Sequence, residues 1–203
     1  MFYRERKLRQ RINELSRFRY RDSIKFKDIK FQLDEKGKVG QKPPLEGEWS
    51  QIEIGDTWKG RDLYAWLSMD IEIPEEWKEK QILGRFDFGK TGGGNNSGFE
   101  SLLFVNDKPY QGVDSNHKEV FFPAEIAGEN VDLKFRLWSG LEGGGKPRQM
   151  EHKFKKAEIA WLDPVVDDLF FTAKAILGTV KILSENDYNR SKLLKLLNNS
   201  FNM

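Results

Sequence analysis

The sequence predicts a mainly β protein, an antiparallel β-sandwich of the jelly-roll or galactose-binding type, with an N-terminal helix and two C-terminal linker helices. Between Trp49 and Trp161, apolar and polar residues alternate with a period of two, which is typical of half-buried strands. No helical pattern interrupts this alternation, whereas a parallel α/β sheet needs helical crossovers. At both ends of the chain the apolar spacing changes to three and four, which indicates amphipathic helices.

The first predicted element is a helix, and we assign residues 1–21 to it. Leu8, Ile12 and Leu15 fall on one stripe, while seven arginines crowd the rest of the segment. Such a helix either docks on its own protein through the stripe or binds nucleic acid or a membrane surface through the arginines. We favour docking because Glu5 and Glu14 dilute the basic face and no second basic element accompanies it.

The β-sandwich is predicted over residues 22–162. The run from Ala65 to Ile73 and the run from Val131 to Trp138 both alternate apolar and polar side chains. Between these runs, the stretch from Phe99 to Phe122 predicts a hairpin that turns near Asn106 and carries a polar loop.

Residues 163–203 predict two helices that link the sandwich to a further domain. Asp163 is suited to an N-cap, and Pro164 is suited to the first helical turn. An apolar stripe from Val166 to Val180 follows, and a second helix start is expected at Ser184 to Asp187. The stripe must be buried, and the sandwich and a missing downstream domain are both plausible acceptors.

Composition limits the function classes. The formal net charge is only +2 and the chain has no cysteine, so no disulfide or thiolate metal site is expected. The first residues are charged rather than apolar, and no run of about 20 apolar residues is present. We therefore expect a cytoplasmic protein with no nucleic-acid or membrane partner.

Five residues are candidates for a site. Asp114 and His117 lie in the polar loop, where they would either line a cleft rim or domain interface or simply fix the loop. Trp66, Tyr110 and Trp138 are predicted on exposed strand faces, where they would stack on sugar rings or pack under loops. The second histidine, His152, lies in a strand pattern, so neither a local metal site nor a catalytic site is predicted.

A P-loop pattern at 84–91 and two glycine clusters at 92–94 and 143–145 are weaker signals. The pattern lies on a strand-like alternation of Phe86 and Phe88, and a glycine-rich segment follows where a P-loop needs a helix. We interpret the pattern as coincidental and the clusters as permissive loops.

The central stretch resembles a known family. The run Leu102 to Asp114, LLFVNDKPYQGVD, followed by His117 to Val120, resembles the N-terminal sandwich of glycoside hydrolase family 38 α-mannosidases. The tail from Ala160 through Pro164 into the apolar stripe is similar to that family's helical link towards the catalytic barrel. The opening basic helix also fits, so the resemblance extends over nearly the whole chain.

The resemblance implies a parent enzyme rather than an active fragment. Family members hydrolyse α-mannosidic bonds with retention, using a carboxylate nucleophile and a divalent metal, usually zinc. Their catalytic domain begins with a His-x-His-x-Asp signature that this chain lacks, so no catalytic residue is transferred. The expected partners are the missing catalytic domain, mannose-containing oligosaccharides and copies of the same chain. The alternatives are a carbohydrate-binding module and a self-contained enzyme.

Overall fold

The computed structural model describes residues 2–44, 46–89, 99–141, 146–147 and 149–202, without the side chains of Phe2 and Tyr3. The glycine clusters at 92–94 and 143–145, and the end of the P-loop pattern, lie outside these residues. The helices are α1 (Phe2–Leu15), α2 (Pro164–Ile182) and α3 (Tyr188–Ser200). The strands are β1 (Tyr20–Lys25), β2 (Ile29–Asp34), β3 (Ser50–Ile52), β4 (Thr57–Gly60), β5 (Tyr64–Glu72), β6 (Gln81–Asp87), β7 (Glu100–Val105), β8 (Lys108–Asp114), β9 (Glu119–Phe121), β10 (Asn130–Trp138), β11 (Met150–Lys153) and β12 (Lys156–Leu162).

Two large sheets form the predicted sandwich, so the mainly β fold class is confirmed. One sheet has the order β1-β12-β6-β9, and the other has the order β3-β2-β5-β10-β7-β8. The chain divides into two compact units, one of Ser23–Ala160 and one that combines Met1–Asp22 with Trp161–Met203.

Aromatic rings fill the space between the sheets. Phe86 on β6 meets Phe135 on β10 at 4.6 Å between ring centroids. Phe88 lies 4.9 Å from Phe135 and 5.3 Å from Phe99. All four rings are fully buried. Burial of such apolar surface between two sheets is the main source of stability for a β-sandwich. The alternation of Phe86 and Phe88 therefore places both rings in the core between the sheets.

The predicted central hairpin is β7 and β8, and its turn is shorter than expected. Asn106 and Asp107 both have positive φ, 48° and 61°, as the two central residues of a type I′ turn require. Lys108 and Pro109 already belong to β8. The following strand, β9, pairs with β6 in the other sheet, so the polar loop at 115–118 connects the two sheets.

The terminal helices bury their apolar stripes against one another. Leu8 and Ile12 of α1, Leu177 of α2, and Leu194 and Leu197 of α3 belong to one buried cluster. Several arginines of this unit are paired. Arg190 contacts Glu5 at 2.5 Å, and Arg19 contacts Asp167 at 2.6 Å. These contacts agree with the docking interpretation of the first helix.

Candidate functional site

The outer face of the six-stranded sheet brings together polar and aromatic side chains from several strands. Antiparallel register aligns residues of five strands in one cross-strand row: Asp34, Tyr64, Trp138, Glu100 and Asp114. The next row contains Gln32, Trp66, Arg136, Leu102 and Gly112. Because side chains alternate along a strand, these rows share the face opposite the phenylalanine core.

Arg136 is the centre of this face. Its Nη2 lies 3.0 Å from Asp34 Oδ2, and the two side chains are 9% and 4% exposed. The guanidinium carbon lies 4.4 Å from the centroid of the Tyr64 ring and 5.7 Å from that of Trp66. The ion pair compensates a charge that would otherwise be costly to bury, and the rings hold the guanidinium plane in place.

Trp66 differs from the expectation of an exposed ring. It is 1% exposed and packs 5.6 Å from Phe104, with Arg136 beside it. Strand alternation placed Trp66 on the outer face correctly, but its neighbours and Arg136 cover it there. No face of this ring is free to stack on a sugar.

A groove of about 520 Å³ lies on the same face beside Arg136. Trp138 and Tyr64 contribute aromatic rings, Leu102 contributes an apolar surface that is 40% exposed, and Glu100 contributes a carboxylate. Residues 40–42, from the loop between β2 and β3, also line it. The Trp138 indole is held by a 2.9 Å hydrogen bond from Nε1 to Asp62 Oδ1. The volume lies within the usual range of about 300–1,000 Å³ for small-molecule sites.

Tyr110 does not line this groove. The β7–β8 pairing is irregular at Leu103/Phe104, and Tyr110 falls out of register with the two outer rows. Its ring stacks on Phe122 at 5.7 Å, and its hydroxyl donates to Phe121 O at 2.7 Å. Partial burial raises the pKa of the Tyr110 hydroxyl. One face of the ring is therefore already occupied.

Asp114 and His117 are brought together by a turn. Asp114 Oδ1 accepts hydrogen bonds from the backbone N–H of Asn116 at 2.6 Å and of His117 at 2.8 Å. Asp114 Oδ2 lies 2.9 Å from His117 Nδ1. Burial alone would raise the pKa of Asp114, but these hydrogen bonds outweigh it and lower the pKa below its ordinary value. The pair thus fixes the loop between β8 and β9.

The second histidine is part of the core. His152 is fully buried, its ring stacks on Trp58 at 4.8 Å, and Nε2 lies 2.9 Å from Ser139 O. Burial lowers the pKa of His152 and favours the neutral ring, and the hydrogen bond to Ser139 O opposes this effect in part. The described residues contain no group of three or more His, Cys, Asp or Glu side chains placed to hold a metal ion. Nor is any described helix both long and apolar enough to cross a bilayer.

Sequence comparison identifies the fold family. The sequence model of a family described as "Alpha-mannosidase, jelly roll domain" matches residues 27–160, which is most of the chain. The chain belongs to this α-mannosidase jelly-roll family. The match covers every strand from β2 to β11 and the groove residues named above. No curated protein matches the chain.

The solved structures that match part of this chain include β-glucuronidases of Ruminococcus gnavus. The apo enzyme is 14% identical with a TM-score of 0.48, and the match covers 70% of this jelly-roll chain and 29% of the β-glucuronidase chain. The complex with D-glucaro-d-lactam is likewise 14% identical, with a TM-score of 0.49 and the same coverage. The jelly-roll chain thus spans less than a third of the length of these solved structures.

Two of the five predicted site residues, Trp138 and Asp114, share the row that also contains Glu100 and Tyr64. Sequence analysis missed Tyr64, Glu100 and Arg136. In the sequence, each of these residues occupies an ordinary polar position in or next to an alternating strand pattern. Only the strand order and the register show that they converge.

Proposed function

We propose that this chain is the non-catalytic jelly-roll portion of a longer α-mannosidase of glycoside hydrolase family 38, and that it packs on that enzyme's catalytic domain. The observation that carries this proposal is the family match over residues 27–160. A catalytic domain outside this chain would cleave α-mannosidic bonds with retention, and it would bind a divalent metal, zinc. The enzyme would be a cytoplasmic homo-oligomer that acts on mannose-containing oligosaccharides.

The chemistry of the described side chains supports a non-catalytic role. Retaining hydrolysis needs two carboxyl groups about 5–5.5 Å apart on either side of the scissile bond. Glu100 is the cross-strand partner of Asp114, but both oxygens of the Asp114 carboxylate are engaged in the turn contacts described above. The Arg136 and Asp34 charges compensate each other.

The surface of α2 supports a packing role. Val165 and Leu169 are 76% and 40% exposed, and their spacing of four residues places them on one face of the helix. Phe171 and Ile182 are also exposed, at 49% and 87%, but they lie on the other side of the helix. Large apolar side chains exposed to water are common singly, but neighbouring ones such as Val165 and Leu169 indicate an interaction surface. We assign this surface to the catalytic domain.

Turnover of an aryl α-mannoside tests the proposal. The purified chain, supplied with Zn²⁺, is expected to be inactive, whereas native protein captured by an antibody against this chain is expected to hydrolyse the substrate. Turnover by the purified chain that disappears in Asp114→Asn or His117→Ala would overturn the proposal and support a self-contained enzyme. Captured native protein without α-mannosidase activity would overturn it as well.

A further inference from the structure

The groove on the outer sheet face combines three features that a small polar ligand needs. Trp138 and Tyr64 offer aromatic surface, and the half-exposed Leu102 adds an apolar floor. Gly112 is the cross-strand neighbour of Leu102 and has no side chain to cover it. Glu100 and Lys42 place a carboxylate and an ammonium group at the rim. Apolar lining with a few polar groups is typical of small-molecule sites.

The charges of this groove favour a neutral ligand. The Arg136 charge is compensated by Asp34, and Asp107, another lining residue, pairs with Lys134 at 2.8 Å. Among the described lining residues, Glu100 and Lys42 then leave one charge of each sign at the rim. A phosphate or carboxylate ligand would meet the Glu100 carboxylate, whereas a neutral polyol can donate to a carboxylate and accept from an ammonium group.

Buried polar atoms under this face lack partners among the described residues. These atoms are Gln41 Oε1 and Arg136 Nε, whose residues line the groove, and Gln32 Oε1 and Trp66 Nε1, whose residues lie in the same cross-strand row as Arg136. Buried polar groups are nearly always hydrogen-bonded, to protein or to an ordered water molecule. Because these atoms are themselves buried, ordered water beneath the face is the partner expected for them.

We propose that this groove binds a neutral carbohydrate residue. The apolar C–H face of the sugar ring would lie against the Trp138 indole, which the hydrogen bond to Asp62 holds in place. Hydroxyl groups at the edge of the sugar ring would donate to Glu100 and accept from Lys42. This inference goes beyond the packing role and does not depend on it, because all groove residues belong to the sandwich unit Ser23–Ala160.

Saturation-transfer NMR on the whole chain tests this inference. The probes are methyl α-mannoside and an α-linked mannobiose as neutral sugars, with glucuronate and glucose 6-phosphate as charged ones. We expect saturation transfer from aromatic protons to the neutral sugars only. Trp138→Ala should weaken binding about tenfold, which corresponds to about 1.4 kcal/mol, and Glu100→Gln should weaken it less.

Trp161→Ala is the matched control. Trp161 is also a half-buried indole whose Nε1 donates to an aspartate, Asp22 Oδ2 at 2.8 Å, but it does not line the groove. Circular dichroism checks that both variants remain folded. The inference is overturned if the neutral sugars give no signal, if the charged sugars bind more tightly, or if Trp161→Ala weakens binding as much as Trp138→Ala. Self-association that Trp138→Ala abolishes, with no sugar signal, would assign the groove to a second copy of the chain instead.

Discussion

At the scale of single residues, the ion pair between Arg136 and Asp34 determines what the outer face can bind. Both side chains are at least nine-tenths buried, and Asp34 Oδ1 additionally accepts a hydrogen bond from Gly37 N at 3.2 Å. That contact ties the start of the β2–β3 loop to the sheet, and residues 40–42 of this loop line the groove. The pair therefore supports both the neutrality and the shape of the groove.

The ion pair should be costly to break on one side only. Arg136→Met leaves Asp34 buried and unpaired, and Asp34→Asn leaves Arg136 unpaired, so each should lower the free energy of unfolding by about 3 to 5 kcal/mol. The double variant should recover much of this loss because no buried charge remains. Urea unfolding of the four proteins measures the coupling. Additive losses in the double variant would contradict the assignment of a coupled buried pair.

The turn at Asp114 predicts a pH dependence. The folded-state pKa of Asp114 is below its ordinary value of 3.8, so the carboxylate contributes stability above that pH, and the contribution is lost as the pH falls through the lowered pKa. His117→Ala removes the ring contact to Oδ2 but keeps the backbone donors. The pKa of Asp114 should therefore rise part of the way towards 3.8 in this variant.

An NMR titration of the Asp114 carboxyl carbon in the wild-type chain and in His117→Ala checks this shift. A pKa that is identical in the two proteins would mean that the imidazole does not contribute to the turn.

At the scale of elements, the apolar stripe of α2 is buried in its C-terminal half and exposed near its start. Ala173, Leu177 and Val180 are buried in the helix cluster, whereas Val165 and Leu169 are exposed. The period of the sequence predicted the helix and its N-cap, and Asp163 does accept a hydrogen bond from Val166 N at 3.1 Å. The period did not predict the partner, because a stripe of this kind fits α1, the sandwich or another domain equally well.

Val165→Asp tests the exposed apolar surface that Val165 and Leu169 form near the start of α2. An acidic residue in the first turn of a helix is favourable, so the 203-residue chain should keep or slightly raise its melting temperature. In the longer enzyme the same change should lower the melting temperature, because a charge would enter the packed interface. Tyr188→Asp is the control, since Tyr188 is also 76% exposed and begins α3. An unchanged melting temperature of the longer enzyme in Val165→Asp would contradict packing through α2.

At the scale of the whole molecule, the fold class follows from periodicity while the site does not. A period of two from Ala65 to Ile73 fixes both a strand and the face that each residue occupies. It cannot say that Tyr64 lies between Asp34 and Trp138, because strand order results from long-range pairing. The same limit explains why Trp66 was predicted to be exposed, since its burial depends on neighbours from other strands. Asp114 and His117 were found because their contact is local.

The domain boundaries at 21 and 163 and the site roles of Asp114, His117, Tyr110 and Trp138 stay predictions. The mannosidase resemblance of the 102–114 run is confirmed at the level of the family, since the matched region contains it. The run itself forms most of β7 and all of β8, together with their turn. Its distinctiveness therefore reflects at least the type I′ turn and the position of β8 at the sheet edge.

The mass of the native polypeptide, measured by immunoblot of the source cells with an antibody against this chain, tests the central claim most directly. The account predicts a species several times larger than the 23.7 kDa of this chain, because the catalytic domain would be part of the same polypeptide. A native species of 23.7 kDa would contradict the account. It would make sugar binding by a separate sandwich the leading function.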